Sequence, residues 1–420
     1  MAPARAATFA VNRLYDAVDL SLDDGECDVS ASPDNQCTLR AAVQQARATA
    51  EGDTIFLPAG TLTLSILGAN ESWAATGDLD LWGDVEILGS LDAPGSIIQA
   101  VDGWDDRLFE TYLPAASEIR FWNLEMRGGN ANWGGALFLN ADYVTVEDCV
   151  LTGNQATDGG AIYNASSELT LVRSTLLANH AANRGGGLYD GGLGWNTIDR
   201  SLIAQNTAGG NGGGLFIASD LVMTNSTVSG NLTNGSGGGF QVFDGQIELR
   251  NVTIVTNAAN FDGEGNGAGG GLNLSDGTTT IRNSIVANNA TFGFPEHNDC
   301  WGQLHTLVSA GATLVEKPCA AYDPSPSDLN GVDPELGPLA ANGGPTLSHR
   351  PLPGSPVLDA GDAAVPGSDP DACEPIDQRG TVRPQEGTGF GVPRCDMGAV
   401  ELEGYLFADS FESGNTALWN

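Results

Sequence analysis

One short phrase recurs six times between residues 134 and 288 and constrains the fold more than any other feature. It consists of two or three glycines followed by an aliphatic or aromatic residue, and it returns after 25, 26, 27, 25 and 32 residues. A second phrase, in which apolar residues lead to an asparagine, alternates with it. Two interleaved phrases at one period indicate a solenoid. The glycine phrases begin at Gly134, Gly159, Gly185, Gly212, Gly237 and Gly269, and the asparagines are Asn154, Asn179, Asn206, Asn231, Asn257 and Asn288.

The residues between these phrases indicate the kind of solenoid. Each repeat holds two or three short runs rich in Val, Ile, Leu and Thr, such as residues 169–172, separated by Gly, Asn and Asp. Such runs are typical of strands, and no repeat contains an uninterrupted stretch long enough for a helix. Three short strands per turn predict a parallel β-helix, in which each coil stacks on the previous one. Glycine suits corners with positive φ, and an asparagine amide can bond to the same amide one coil away.

The charge of the chain limits its partners. Its 53 acidic residues against 17 basic ones give a formal charge of −36. This excludes nucleic acid as a partner and disfavours anionic membranes or polyanionic glycans unless a divalent cation bridges them. No apolar segment is long enough to span a bilayer, so we expect no membrane insertion.

Six of the seven cysteines fall into local pairs, which favours export. The pairs have no metal-site spacing with histidines, so we predict three disulfides formed in an oxidising compartment. The seventh, Cys149, is expected to be a buried thiol rather than a nucleophile. Residues 1–7 lack the apolar core of a signal peptide, so we expect the chain to begin near a mature terminus. The predicted disulfides join Cys27 to Cys37, Cys300 to Cys319 and Cys373 to Cys395.

Residues 38–50 are predicted to form a short amphipathic helix that covers the open end of the first coil. Thr38 is a suitable N-cap, and Leu39, Ala42, Val43 and Ala46 form one apolar stripe. Residues 37–43 resemble the Cys-Ser-Leu-Arg-Glu-Ala-Ile signature that opens a family of exported bacterial β-helix proteins, with alanine at the glutamate position. Residues 52–61 resemble the phrase that leads that family into its first coil. The resemblance implies an exported right-handed parallel β-helix.

Two further resemblances concern the repeats and the last third of the chain. The central repeats are similar to those of chlamydial polymorphic outer membrane proteins, which are adhesins. Residues 342–349, 353–361, 377–380, 383–384 and 395–401 resemble the choice-of-anchor Q region at the end of bacterial surface β-helices. This implies a rigid, disulfide-bonded C-terminal cap, in which ionic side chains form structural ion pairs. Those side chains are Asp377, Arg379, Arg383 and Asp396.

Aromatic and ionisable side chains near the corners of two adjacent repeats are candidates for binding or catalysis. A polysaccharide lyase needs a base beside a uronate carboxylate and a positive group that neutralises it. Asp158 and Arg184 each precede a glycine phrase by one residue, so we expect them to stack on adjacent coils. A structural ion pair explains this spacing equally well. The catalytic candidates are His180, Arg184, Tyr189 and Asp158, and the binding candidates are Trp133 and Asp190.

A long insertion in the fifth repeat is a candidate calcium site. Asp262, Glu264 and Asn266 alternate there, and their oxygens could converge on one ion. The alternative is a solvated polar loop.

These observations predict an all-β chain: a single-stranded right-handed parallel β-helix with an N-terminal capping helix. The predicted regions are an N-terminal cap (1–52), the β-helix (53–292), the last coils with a C-terminal cap (293–403) and a tail (404–420). We expect a secreted or bacterial cell-surface protein that acts in adhesion or glycan binding without catalysis. A polysaccharide lyase or glycoside hydrolase is the first alternative, and a self-associating fibre or layer subunit is the second.

Overall fold

The protein is described by a computed structural model over residues 6–22, 24–31, 35–48, 52–69, 71–112, 117–141, 143–192, 194–302, 306–369, 372–385 and 393–403. The predicted tail, residues 404–420, lies outside these ranges. Within them the strands form four parallel sheets wound into one solenoid, and every strand of a sheet belongs to a different coil. Apolar side chains from all coils fill the interior. The predicted fold class is confirmed.

The two longest sheets meet along one edge of the solenoid. Sheet 1 contains Thr8–Ala10, Asp53–Phe56, Val85–Leu88, Glu118–Trp122, Tyr143–Glu147, Glu168–Val172, Trp195–Asp199, Asp220–Thr224, Gln246–Arg250, Thr278–Arg282, Leu307–Gly311 and Tyr322–Asp323. Sheet 2 contains Gly60–Leu64, Ser96–Ala100, Leu124–Arg127, Val150–Thr152, Thr175–Leu177, Leu202–Ala204, Thr227–Ser229, Thr253–Val255, Ile285–Ala287, Leu314–Val315 and Leu329–Asn330. Most strands of sheet 1 alternate buried and more exposed residues with the two-residue period of a strand, whereas the sheet 2 strands from Leu202–Ala204 to Ile285–Ala287 are buried throughout.

Two shorter sheets complete each coil. Sheet 3 contains Leu79–Trp82, Phe109–Tyr112, Leu137–Leu139, Ile162–Asn164, Leu188–Asp190, Leu215–Ile217, Phe240–Val242, Leu272–Leu274 and Cys300–Gly302. Sheet 4 contains Asn130–Trp133, Gln155–Asp158, His180–Arg184, Thr207–Ala208, Leu232–Thr233, Ala258–Ala259 and Ala290–Thr291. A 3₁₀ turn covers Pro295–His297.

The presence of sheet 4 corrects the prediction of three strands per coil. Its strands are short, and their inward residues are mostly alanines such as Ala156, Ala181 and Ala208. Alanine beside exposed polar residues produces no apolar run, so the sequence pattern showed these strands only as loops. Sheet 4 matters for function because its outer face carries several of the candidate residues.

The predicted asparagine ladder is confirmed, with one correction. Asn206 donates from Nδ2 to Asn231 Oδ1 at 3.0 Å, and its own Oδ1 accepts from the backbone and side chain of Asn179. The last amide of the ladder belongs to Asn289 and not to the predicted Asn288, because Asn288 adopts positive φ at the surface and turns the chain there. The ladder ends on Asp299, whose carboxylate accepts from Asn289 at 3.0 Å.

Glycines at the corners have the conformation that the repeat predicted. Gly212 has φ of 73°, and a Cβ on the next glycine, Gly213, would lie 2.5 Å from a backbone carbonyl oxygen of the following coil. Only a residue without a side chain fits where adjacent coils approach this closely.

The N-terminal helix covers the first coil as predicted. It spans Leu39–Ala48, Thr38 Oγ1 accepts from the Ala41 amide at 3.2 Å, and the predicted apolar stripe is buried. Arg40, also fully buried, pairs with Asp16 at 2.7 Å and donates to three carbonyl oxygens of residues 74–78. The helix is therefore fastened to the segment of residues 71–78 that leads into the first strand of sheet 3.

The C-terminal region packs along the flank of the solenoid. Gln378 and His349 bond to Thr227 and Ser229 of one coil, and Glu374 bonds to Asn251 of the next coil. Arg379 pairs with Asp377 at 2.8 Å, as predicted. Arg383 pairs instead with Glu401 at 2.8 Å, because the Asp396 carboxylate is already occupied by the backbone amides of Asp359 and Leu402.

All three predicted disulfides are present, joining Cys27 to Cys37, Cys300 to Cys319 and Cys373 to Cys395. Cys149 is buried, and burial raises the pKa of its thiol to about 12, as expected for an inert thiol. Among the described residues, no helix is long and apolar enough to cross a membrane. The disulfides are compatible with an extracellular protein.

Candidate functional site

The outer face of sheet 3 carries a continuous column of side chains. The middle residue of each strand points outward because its neighbours fill the core, and parallel pairing places these residues in register. Along the coils the column consists of Asp80, Glu110, Phe138, Tyr163, Tyr189 and Phe216. It thus begins with two carboxylates and continues as a row of aromatic rings.

The aromatic row is mainly a packing device. The rings of Tyr163 and Tyr189 are stacked at 4.6 Å between centroids, and those of Tyr189 and Phe216 at 5.0 Å. This spacing follows from the distance between neighbouring strands. Because each ring face is covered by the next ring, Tyr189 offers a ligand its edge rather than a flat face. The row stiffens this side of the solenoid.

Asp158 and Arg184 lie opposite each other on adjacent strands of sheet 4, so their predicted stacking is confirmed. Their ion pair has an Nε–Oδ1 distance of 3.0 Å, and hydrogen bonding to Asp158 raises the pKa of Arg184. The guanidinium carbon lies 4.8 Å from the ring centroid of Tyr189 and 5.2 Å from that of Phe216. Arg184 therefore ties sheet 4 to the aromatic row, and a catalytic role for it stays a prediction.

A cleft of about 410 Å³ runs along the outer face of sheet 4. Its floor presents the polar side chains of three successive coils, and residues 105–107 close one end. His180 faces this cleft, and its Nδ1 lies 2.8 Å from Thr207 Oγ1. The polar lining consists of Asp105, Asp106, Arg107, Asn130, Asn132, Gln155, Thr157 and His180.

Trp133 lies at the corner between the cleft and the aromatic row. Its ring is 49% exposed and sits 6.3 Å from the ring of Phe138 and 6.1 Å from that of Tyr163. Trp133 is held by these rings yet keeps much of its surface open to solvent. That combination suits an aromatic platform for a ligand.

Asp190, the other predicted binding residue, is fully buried. It accepts hydrogen bonds from Asn164, Asn196, Ser219 and the Gly192 amide, and burial raises its pKa to about 6. Its carboxylate thus bonds to protein groups beneath the surface.

The predicted calcium loop lies at the surface. Asp262, Glu264 and Asn266 are all exposed, and Asp262 Oδ1 accepts from the Glu264 amide at 3.1 Å. A role in calcium binding stays a prediction for this loop.

A cluster of carboxylates at the first coils was missed by the sequence analysis. One oxygen each of Asp78, Asp80 and Glu110 lies within 4.8 Å of the other two. Arg107 is the adjoining cation, with Nε 3.7 Å from Asp78 and Nη1 in contact with Glu110. Asp106 accepts from the Asp78 amide at 3.2 Å and lies 3.9 Å from Arg107 Nε. The available signal was the alternation of acids with core leucines in residues 78–81.

Burial perturbs every carboxyl group of this cluster. It raises the pKa of Asp80 to about 7, and the pKa values of Asp106 and Glu110 also rise. The pKa of Asp78 is raised by burial and then by the neighbouring charges of Asp106 and Asp80. Groups perturbed by both burial and specific charges mark candidate functional sites.

Comparison with known protein families supports the fold. Residues 131–301 match the family described as right handed beta helix region. Among solved structures, the crystal structure of pectate lyase Pel9A is similar at 14% identity and a TM-score of 0.49, with 96% of this chain and 98% of that chain covered. No curated protein matches the chain.

Proposed function

We propose that the protein binds an extended polysaccharide or cell-surface glycan in the sheet 4 cleft, without cleaving it, outside the cell. The observation that carries this proposal is the row of amide and hydroxyl side chains that faces the cleft beside the exposed ring of Trp133. Amides hydrogen-bond to sugar hydroxyls, and an aromatic face packs on the apolar face of a sugar ring.

The spacing of the polar row favours a polymer over a single small molecule. Asn130, Gln155 and His180 occupy equivalent positions on three neighbouring strands. Parallel strands lie about 4.8 Å apart, so hydrogen-bonding groups recur at this interval along the cleft. A ligand with its own regular repeat can use several of these groups at once.

Charge also favours this cleft over another one on the outer face of sheet 1. That second cleft has a volume of about 490 Å³ and is lined by Asp84, Glu86, Glu118 and Glu168, which repel acidic sugars. Its arginine, Arg120, is already paired with carboxylates on both sides. In the sheet 4 cleft the carboxylates of Asp105 and Asp106 lie at one end with Arg107, and the other polar side chains are amides, a hydroxyl and an imidazole, so neutral glycans are the expected ligands.

The positions of the catalytic candidates support binding rather than cleavage. His180 faces the cleft, whereas Arg184 is bonded to Asp158 and covers the rings of Tyr189 and Phe216. A base and a neutralising cation must act on neighbouring atoms of one substrate. Here the two groups have separate partners.

Replacing Trp133 with alanine is expected to weaken glycan binding at least tenfold, because exposed aromatic anchors dominate such contacts. The measurement is affinity electrophoresis against a polysaccharide panel, followed by calorimetry on the polysaccharide that is retained. Tyr143→Ala is the matched control, since Tyr143 is 50% exposed on sheet 1. Equal weakening by both substitutions would count against the sheet 4 cleft.

The same panel tests whether the protein turns over its ligand. We expect retention without new reducing ends and without unsaturated products. If products form, Asp106 is the first carboxyl group to substitute. It is buried at the end of the cleft and its pKa is raised, as a general acid requires. Turnover that Asp106→Asn abolishes would replace binding with glycoside hydrolysis as the function.

A further inference from the structure

We propose that Asp78, Asp80 and Glu110 bind one calcium ion beside the segment of residues 71–77. The three ligands do not line the glycan cleft, although Asp106 and Arg107 adjoin both, and the proposal does not depend on glycan binding. It also differs from the exposed loop that contains Asp262 and Glu264.

The geometry of the three carboxylates suits calcium. Their nearest oxygens lie within 4.8 Å of one another. Calcium binds oxygen at 2.3–2.6 Å, so two ligands on opposite sides of one ion are about 4.6–5.2 Å apart. The cluster is made of carboxylates, which are hard ligands preferred by calcium over softer transition metals.

An oxygen without a hydrogen-bond partner provides a second, independent indication. Asp80 is fully buried, and its Oδ2 accepts from the Ala74 amide at 2.7 Å. Its Oδ1 is also buried, but it has no hydrogen-bond partner among the described residues. Asp80 pairs with Glu110 across neighbouring strands, so its carboxylate faces the cluster. A buried carboxylate oxygen without a partner is costly, and a bound cation would compensate it.

The negative charges of the cluster favour the binding of a divalent cation. When ionised, Asp78, Asp80, Asp106 and Glu110 carry four negative charges. Arg107 contacts three of these groups. Arg47, which lies over the rings of Trp73 and Trp82 at 3.7 Å and 4.4 Å, acts electrostatically on Asp80. Glu71 is a further negative neighbour of Asp80, so negative charge exceeds positive charge around the cluster, and a divalent cation would offset this excess.

The position of the site indicates that the bound ion would stabilise the structure. Residues 71–78 lead into the first strand of sheet 3, and the Ala74 amide of this segment donates to Asp80. The segment is tightly packed, since a Cβ on Gly77 would lie 2.1 Å from the Gly68 carbonyl oxygen. A bound ion would fasten this segment, and with it Arg40 of the N-terminal helix, to the solenoid.

Calorimetric titration of the full chain with calcium chloride tests the proposal. We expect one site that Asp80→Asn weakens at least tenfold, because this substitution removes one charged ligand while keeping the side-chain volume. Asp262→Asn is the matched control and should leave this site unchanged. Terbium provides a second readout, since Trp82 lies two residues from Asp80 on the same strand and can sensitise its emission.

Glu110→Gln repeats the test independently, and circular dichroism checks that each variant is folded. The proposal is overturned if wild type shows no calcium binding at millimolar concentration, or if both cluster variants keep the wild-type affinity. Loss of binding in Asp262→Asn alone would assign the ion to the exposed loop instead. A preference for magnesium over calcium would contradict the choice of ion.

Discussion

Asn206→Ala is expected to lower the free energy of unfolding by about 3–5 kcal/mol. The Asn206 side chain donates to Leu176 O and Asn231 Oδ1, and it accepts from the backbone and side-chain nitrogens of Asn179. Truncation removes all four bonds inside the buried ladder. The Asn179 amide loses its acceptor and the Leu176 carbonyl loses this donor, whereas Asn231 Oδ1 keeps the Asn206 backbone amide and Asn179 Nδ2 keeps Leu151 O. Each unsatisfied buried group costs about 1–3 kcal/mol, partly relieved by local rearrangement.

Equilibrium unfolding in urea measures this effect, and Asn132→Ala is the control. Asn132 is an exposed amide on sheet 4, so its loss should change stability by less than about 0.5 kcal/mol. Because each coil touches only its neighbours, a defect at the centre should also reduce the cooperativity of unfolding. A loss below about 1 kcal/mol for Asn206→Ala would mean that the ladder contributes little.

Arg40→Met is expected to cost about 3–5 kcal/mol and to loosen the N-terminal helix. The substitution removes the partner of Asp16 and leaves a fully buried carboxylate unpaired. It also removes the hydrogen bonds to the carbonyl oxygens of Ala74, Gly77 and Asp78. Removing one partner of a buried ion pair lowers the free energy of unfolding far more than losing an exposed ion pair does.

Urea unfolding and limited proteolysis of residues 71–78 measure this second effect. Arg127→Met serves as the control, because the ion pair of Arg127 with Glu125 is partly exposed and should contribute at most about 1 kcal/mol. If both arginine variants lose the same stability, Arg40 does not fasten the helix to the first coil.

The regular coils could be predicted because their repeat determines their register. The glycine and asparagine phrases located the corners, and Asp158 and Arg184 could be placed opposite each other from their distance to those phrases alone. The sequence analysis missed the fourth sheet because its inward residues are small. Strands are recognised from runs of large apolar side chains, and these strands have none. The shift from Asn288 to Asn289 followed from the positive φ of Asn288 at that corner.

The carboxylate cluster could not be predicted for a related reason. Asp78 and Asp80 precede Glu110 by about one coil, but the segment of residues 71–78 and the segment around Arg107 interrupt the period there. Without a repeated phrase, the sequence does not reveal which residues of the first coils lie opposite each other. The position of His180 in the cleft and of Trp133 beside it similarly depended on sheet 4, which the pattern did not show.

The most direct test of the glycan-binding proposal is a crystal structure of the protein with an oligosaccharide from the polysaccharide that it retains. We predict sugar density along the outer face of sheet 4, with hydrogen bonds to Asn132 and Gln155 and one sugar ring packed on Trp133. Density on the outer face of sheet 1, or a cleaved sugar in the sheet 4 cleft, would contradict the account.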